Sequence, residues 1–195
     1  NANITPLMGI GISVFSIIGS WLIYDLICKS KLINYKIIFP IVLLVIGKTS
    51  QQYLIEGILK YQKRLQHYTK FEIIELQNIK NSKNITKTEL AKMEGKLILN
   101  KLEISDYIIL LDDKGKDFSS LQFSEKLTSL MHTGKKRLVF IVGGAYGVSN
   151  DIFSRCNERL SLSRMTFSHQ MVRLFFVEQI YRAFTILNNE PYHHK

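Results

Sequence analysis

The sequence predicts an α/β protein, a parallel sheet flanked by helices, with an apolar extension over residues 1–40 and a folded domain over residues 41–195. Two observations carry this reading. From Ile41 onward, short apolar runs rich in β-branched residues alternate with stretches of helical periodicity. The connections between them are short, and repeated βα units joined in this way give a parallel sheet covered by helices on both faces.

Ile41-Val42-Leu43-Leu44-Val45-Ile46 is a continuous apolar run stopped by Gly47, as expected of a strand buried on both faces. Gln51 to Leu65 has apolar residues at Leu54, Ile55, Ile58, Leu59 and Leu65, a helical spacing. Phe71 to Leu76 reads as a shorter strand nearer an edge. Thr86 to Leu102 is a second helix, with Thr86 as N-cap and Glu89 at the capping-box position. Tyr107 to Leu111 is a third strand, Ser119 to Met131 a third helix, and Leu138 to Val142 a fourth strand. A short strand opens at Leu160, and a nearly apolar helix runs from about Ser168 to Leu187.

Composition narrows the class. The 195 residues are 46% hydrophobic, which excludes a disordered chain, and two cysteines, Cys28 and Cys156, cannot make a disulfide framework. Lys and Arg number 26 against 16 Asp and Glu, for a net charge of +10, so a polyanionic partner is expected, either nucleic acid or an anionic membrane. Asn1 to Tyr24 carries no charged side chain and is long enough to span a bilayer as a helix. Lys29, Lys31 and Lys36 would then hold the remainder in the cytoplasm. Three readings of this extension stay open: a membrane anchor, a helix docked on the domain, and residues foreign to the mature protein.

Ligands of open α/β sheets bind beyond the carboxyl ends of the strands. After the fourth strand comes Gly143-Gly144-Ala145-Tyr146-Gly147, where glycines let the backbone approach a ligand; it lacks the Lys of a phosphate loop and the third glycine of a dinucleotide fingerprint. Asp112-Asp113-Lys114-Gly115-Lys116 reads as a solvated turn rather than a metal site. Leu160 to Gln170 mixes apolar side chains with hydroxyls and has no carboxylate, which suits an apolar ligand that needs backbone hydrogen bonds. No elbow motif surrounds a serine, so a Ser-His hydrolase is a poor fit, and His169 reads as a helix contact. The all-round apolar last helix calls for a second subunit. Within it, Glu178 and Arg182 stand one turn apart as an ion pair or as an arginine held for an anionic substrate. The ending Glu190-Pro191-Tyr192-His193-His194-Lys195 could fold over a site, and two adjacent histidines make a poor metal site, so no metal is expected.

Val142 to Gly147, Leu160 to Gln170, Glu178 to Ala183 and Glu190 to His193 together carry a recognisable pattern. It resembles the small single-domain SPOUT methyltransferases that modify a pseudouridine of large-subunit ribosomal RNA. The resemblance covers Ile41 to Lys195 and implies a C-terminal trefoil knot, a cytoplasmic homodimer, and methyl transfer from S-adenosyl-L-methionine to N3 of a pseudouridine in 23S rRNA. It places the cofactor contacts on Leu111, Gly143, Leu162, Ser163, Arg164, Met165, Thr166 and Phe167. Arg182, Tyr192 and His193 match the positions that place or deprotonate the nucleotide; His193 is the better base by intrinsic pKa, and Arg182 is suited to stabilising the anion. Ser168 stands where the family usually has proline, which is expected to loosen the loop. An RNA cleft shared by two subunits is expected to use Arg155, Arg159, Arg164 and Arg173. The alternatives are a noncatalytic RNA-binding dimer of the same fold and a membrane-tethered adaptor.

Overall fold

Five strands, β1 (Ile41–Ile46), β2 (Phe71–Leu76), β3 (Asp106–Asp117), β4 (Arg137–Val142) and β5 (Glu158–Ser161), alternate with α1 (Gln52–Leu65), α2 (Lys87–Leu99), α3 (Ser120–Met131), α4 (Asn150–Arg155) and α5 (Met171–Leu187). The strands form one sheet in the order β2-β1-β4-β3-β5, and every neighbouring pair is parallel. This computed structural model describes residues 39–80 and 84–193. The expected apolar extension lies outside the described residues up to position 38. Among the described residues, no helix is long and apolar enough to cross a membrane.

All six side chains of β1 are buried, as its unbroken apolar run requires of a strand covered on both faces. One face packs Ile41, Leu43, Val45, Phe140 and Val142 against Leu65 of α1, Leu127 of α3, and Phe176, Val177, Ile180 and Phe184 of α5. The other packs Val42, Leu44, Ile108, Val139 and Ile141 against Ile98 of α2 and Ile152 of α4. β2 is an edge strand and exposes Glu72 and Glu75, which fits its less continuous apolar pattern. Capping boxes start α2 at Thr86 and Glu89 and α3 at Ser119 and Gln122, satisfying backbone donors that would otherwise be orphaned.

Two expectations need correction. β3 does not stop at Leu111, and Asp112 to Lys116 is no simple solvated turn: the strand continues to Asp117. Leu160 of β5 pairs first with Leu111 and again, after a register shift, with Lys116. The second crossing is tight at Gly115, where a Cβ would lie 2.6 Å from the Leu160 carbonyl carbon. Only glycine allows the two backbones to approach this closely. Second, α5 begins at Met171 rather than at about Ser168, and Ser168 hydrogen-bonds to its first residues. The Ser168 hydroxyl accepts from the Met171 amide at 3.2 Å, and the Ser168 carbonyl accepts from Val172 N at 3.1 Å.

Candidate functional site

The C-terminal ends of β3, β4 and β5 point the same way because the strands are parallel, so the segments leaving them meet at one rim. There they enclose a cleft of about 390 Å³, lined by Leu110 to Asp113, by Val142 to Ala145 with Gly147 and Val148, and by Leu160 to Ser163 with Met165 to His169. Phe153 and Val172 complete the wall.

The turn after β4 is held by its own backbone. Gly147 N donates to Gly144 O at 3.1 Å, and Gly147 adopts a φ of 83°, a left-handed conformation natural to glycine. At Gly143 an added Cβ would stand 2.8 Å from Val148 Cγ1 and 2.9 Å from Gly147 O, so the glycine is required by the inside of the turn. At Gly144 the nearest atoms it would meet belong to the Glu94 carboxylate of α2. Burial raises the pKa of Glu94.

The loop after β5 closes on itself. Ser161 Oγ donates to Ser163 O at 2.8 Å, and Ser163 Oγ accepts from Met165 N at 2.9 Å, which fixes the loop while Leu162, Met165 and Phe167 remain in the cleft wall. Phe167 packs on Phe175 of α5 with ring centroids 4.8 Å apart. Burial, then the charge of Arg173, lowers the His169 pKa, so this wall residue stands neutral at physiological pH.

Of the expected cofactor contacts, Leu111, Gly143, Leu162, Ser163, Met165, Thr166 and Phe167 line the cleft. Arg164 is not among the lining residues; its side chain is 90% exposed and lies 3.4 Å from Asp117. Asp112 and Asp113, read from the sequence as solvated, line the cleft, and Asp112 lies 3.5 Å from Arg159. Their polar surroundings hid them; the prolonged pairing of β3 brings them in.

Arg182, Tyr192 and His193 are not part of this wall. Arg182 of α5 and Tyr192 of the C-terminal tail join Glu178 and Tyr61 of α1 in a second cluster, and His193 follows Tyr192 in the tail. Arg182 donates to Glu178 Oε1 at 2.6 Å and stacks its guanidinium 4.8 Å from the Tyr192 ring centre. The Tyr192 hydroxyl donates to Glu178 Oε1 at 3.0 Å and lies 3.2 Å from the Tyr61 hydroxyl. Burial, with these two partners, raises the Tyr192 pKa. The tail is anchored further by Tyr68, whose hydroxyl donates to Glu190 at 2.5 Å. Asn189 turns the chain back at a φ of 55°. His193 Nδ1 is shielded from solvent and has no hydrogen-bond partner among the described residues.

Arg173 is not available for RNA, contrary to expectation. Its side chain is 1% exposed, and it donates to Ile46 O at 2.6 Å, Gly47 O at 2.9 Å, Thr49 Oγ1 at 3.0 Å and His169 O at 3.3 Å. It ties the end of β1 to the start of α5. The sequence carried a signal for this: Arg173 shares its helical face with Phe176, Val177 and Ile180. Arg155 donates to the Glu103 carbonyl at 2.6 Å. Among the described residues, no group of three or more His, Cys, Asp or Glu could hold a metal ion.

An open parallel sheet with a cleft of this size at its carboxyl rim, lined by glycines, apolar side chains and hydroxyls, defines a small-molecule-binding α/β protein. The family model described as "Predicted SPOUT methyltransferase" matches residues 39–193. The chain is 56% identical over 153 residues to "Ribosomal RNA large subunit methyltransferase H" of Parabacteroides distasonis, covering 78% of this chain and 98% of that protein. It is 53% identical over 154 residues to the protein of the same name from Christiangramia forsetii, again 78% and 98%. The Porphyromonas gingivalis protein of that name is 46% identical over 155 residues, 80% of this chain and 99% of its own length. This chain belongs to the SPOUT methyltransferase family.

Proposed function

We propose that residues 41–195 form a C-terminally knotted methyltransferase domain that moves a methyl group from S-adenosyl-L-methionine to N3 of a pseudouridine in 23S rRNA, acting in the cytoplasm as a homodimer. The observation that carries this reading is the convergence of three strand-end segments into one cleft, within a chain so similar to proteins named for ribosomal RNA methylation. The cleft volume falls in the range of small-ligand and cofactor sites. Its lining also suits the cofactor: Leu111, Leu162, Met165 and Phe167 offer apolar surface, Gly143 exposes backbone, and Ser163 and Thr166 bring hydroxyls. These residues would hold the cofactor, which supplies an electrophilic methyl group on a sulfonium.

The chain's own groups then have two tasks. The wall excludes water around a reaction in which an anionic nitrogen and a sulfonium become neutral, a change favoured by low polarity. The low-polarity part of the wall is the surface of Leu111, Leu162, Met165 and Phe167; Asp112, 3.5 Å from Arg159, and Asp113 form its polar edge. The second task is to remove the N3 proton and hold the resulting anion. His193 is suited to take the proton and Arg182 to stabilise the charge. In one chain both lie outside the wall of that chain's cleft, so the reading assigns them to the cleft of a second copy. Exposed apolar side chains on α1 and α5 fit such pairing: Tyr53 is 59% exposed, Leu59 57% and Phe175 38%.

Purified protein, 70S particles and methyl-labelled S-adenosylmethionine test the proposal. Label recovered at N3 of a pseudouridine is expected. Particles bound but left unlabelled would instead favour the noncatalytic RNA-binding dimer.

A further inference from the structure

Tyr146 is the one residue of the turn from Gly143 to Val148 whose side chain is absent from the cleft wall, and it stands 54% exposed. Its hydroxyl has no hydrogen-bond partner among the described residues, while the backbone around it is pinned by the bond from Gly147 N to Gly144 O. A large aromatic ring is therefore offered to solvent beside the cleft. The Lys87 ammonium lies 5.4 Å from the ring centre. Lys87 is also the first residue of α2, a place where the helix dipole disfavours a cation, so its own helix does not explain the charge there.

A second pair of the same chemistry stands elsewhere on the cleft. Phe153 of α4 lines the wall yet remains 41% exposed, and the Arg159 guanidinium lies 5.9 Å from its ring centre. Exposed rings provide faces on which unpaired bases stack, and adjacent cations neutralise the phosphates between them. A chain with net charge +10 supplies the matching long-range attraction.

We infer that Tyr146 with Lys87, and Phe153 with Arg159, form a stacking rim on which unpaired nucleotides of the RNA substrate are held at the cleft. The inference rests on the RNA-directed reading above and names the residues that would grip the strand. Each ring takes the face of a base, and Lys87 meets a neighbouring phosphate, while Arg159, 3.5 Å from Asp112, flanks the Phe153 ring.

The test compares wild type, Tyr146→Ala, Tyr146→Phe and Lys87→Gln. Affinity for large ribosomal subunits is measured by filter binding across a salt series, and affinity for S-adenosylmethionine by calorimetry. Tyr146→Ala should weaken subunit binding by roughly tenfold with cofactor affinity unchanged, and Tyr146→Phe should restore it, since the ring face and not the hydroxyl makes the contact. Lys87→Gln should lower the salt slope by about one. Wild-type subunit affinity in Tyr146→Ala, equal losses in the Ala and Phe variants, or a parallel loss of cofactor affinity would each overturn the rim. Methyl transfer by wild type is read separately. If wild type binds subunits and transfers nothing while Tyr146→Ala still loses affinity, the rim stands and the catalytic reading falls; if wild type does not bind subunits, both fall.

Discussion

Replacing Arg173 with methionine probes the joint between β1 and α5. Methionine nearly matches the arginine stem in apolar bulk but removes the donors that reach Ile46 O at 2.6 Å and Gly47 O at 2.9 Å. Leaving a buried carbonyl without its donor costs about 1–3 kcal/mol, so the two together cost about 2–6 kcal/mol. Relief from burying the guanidinium offsets part of this, since desolvation penalises its charged form. A net loss of about 3 kcal/mol corresponds to a fall in Tm of about 6–12 °C for a domain of this size. Thermal and urea denaturation, followed by far-UV circular dichroism, measure the change. Because Arg173 also bonds the His169 carbonyl, cofactor affinity should drop in parallel, as read by calorimetry. Arg173→Lys, which keeps the charge but not the fork, should fall between the two. A Tm within about 2 °C of wild type would show that the carbonyls are satisfied without the guanidinium and would refute the reasoning.

Gly143→Ala should cost more cofactor affinity than Gly144→Ala, because the first drives a methyl group into the turn's own Gly147 carbonyl while the second displaces the end of the Glu94 side chain; calorimetry on both decides. Glu94→Gln should stabilise the fold at pH 7. The folded-state pKa of Glu94 lies above its unfolded value, so the acid form costs nothing at low pH and stability is lost as pH rises through the raised value; the gain from glutamine should therefore vanish as the pH falls below about 4 in urea titrations. Removing residues 192–195 should leave a folded dimer, seen by light scattering, with turnover reduced at least about 100-fold if the tail carries the proton transfer.

What the sequence disclosed follows a physical division. β1 and β4 were legible because a strand covered on both faces needs an unbroken apolar run, and Thr86 with Glu89 announced the start of α2 through purely local chemistry. The reach of β3 through Asp112 to Asp117 was not legible. Its pairing depends on Leu160, which lies 44 residues beyond Lys116, its second partner, and nothing in an alternation of Asp and Lys records that crossing. The same distance hid Asp112 and Asp113 from the cleft. Ser161 and Ser163 were visible as hydroxyls in an apolar loop, but their use in bracing that loop emerges only from geometry. The pattern around Glu178 to Ala183 and Glu190 to His193 pointed to nucleotide chemistry through resemblance. The structure adds that one copy keeps those groups on a separate cluster, with the tail fastened by Tyr68 and Tyr61.

The walls of the cleft draw on the segments leaving β3, β4 and β5, on Phe153, and on Val172 of α5. No shortened chain ending ahead of Val172 can therefore carry a finished binding site, however well its first strands have formed. The site is complete only once the segment through Val172 is in place. A chain cut ahead of that point would present an open rim with one wall missing.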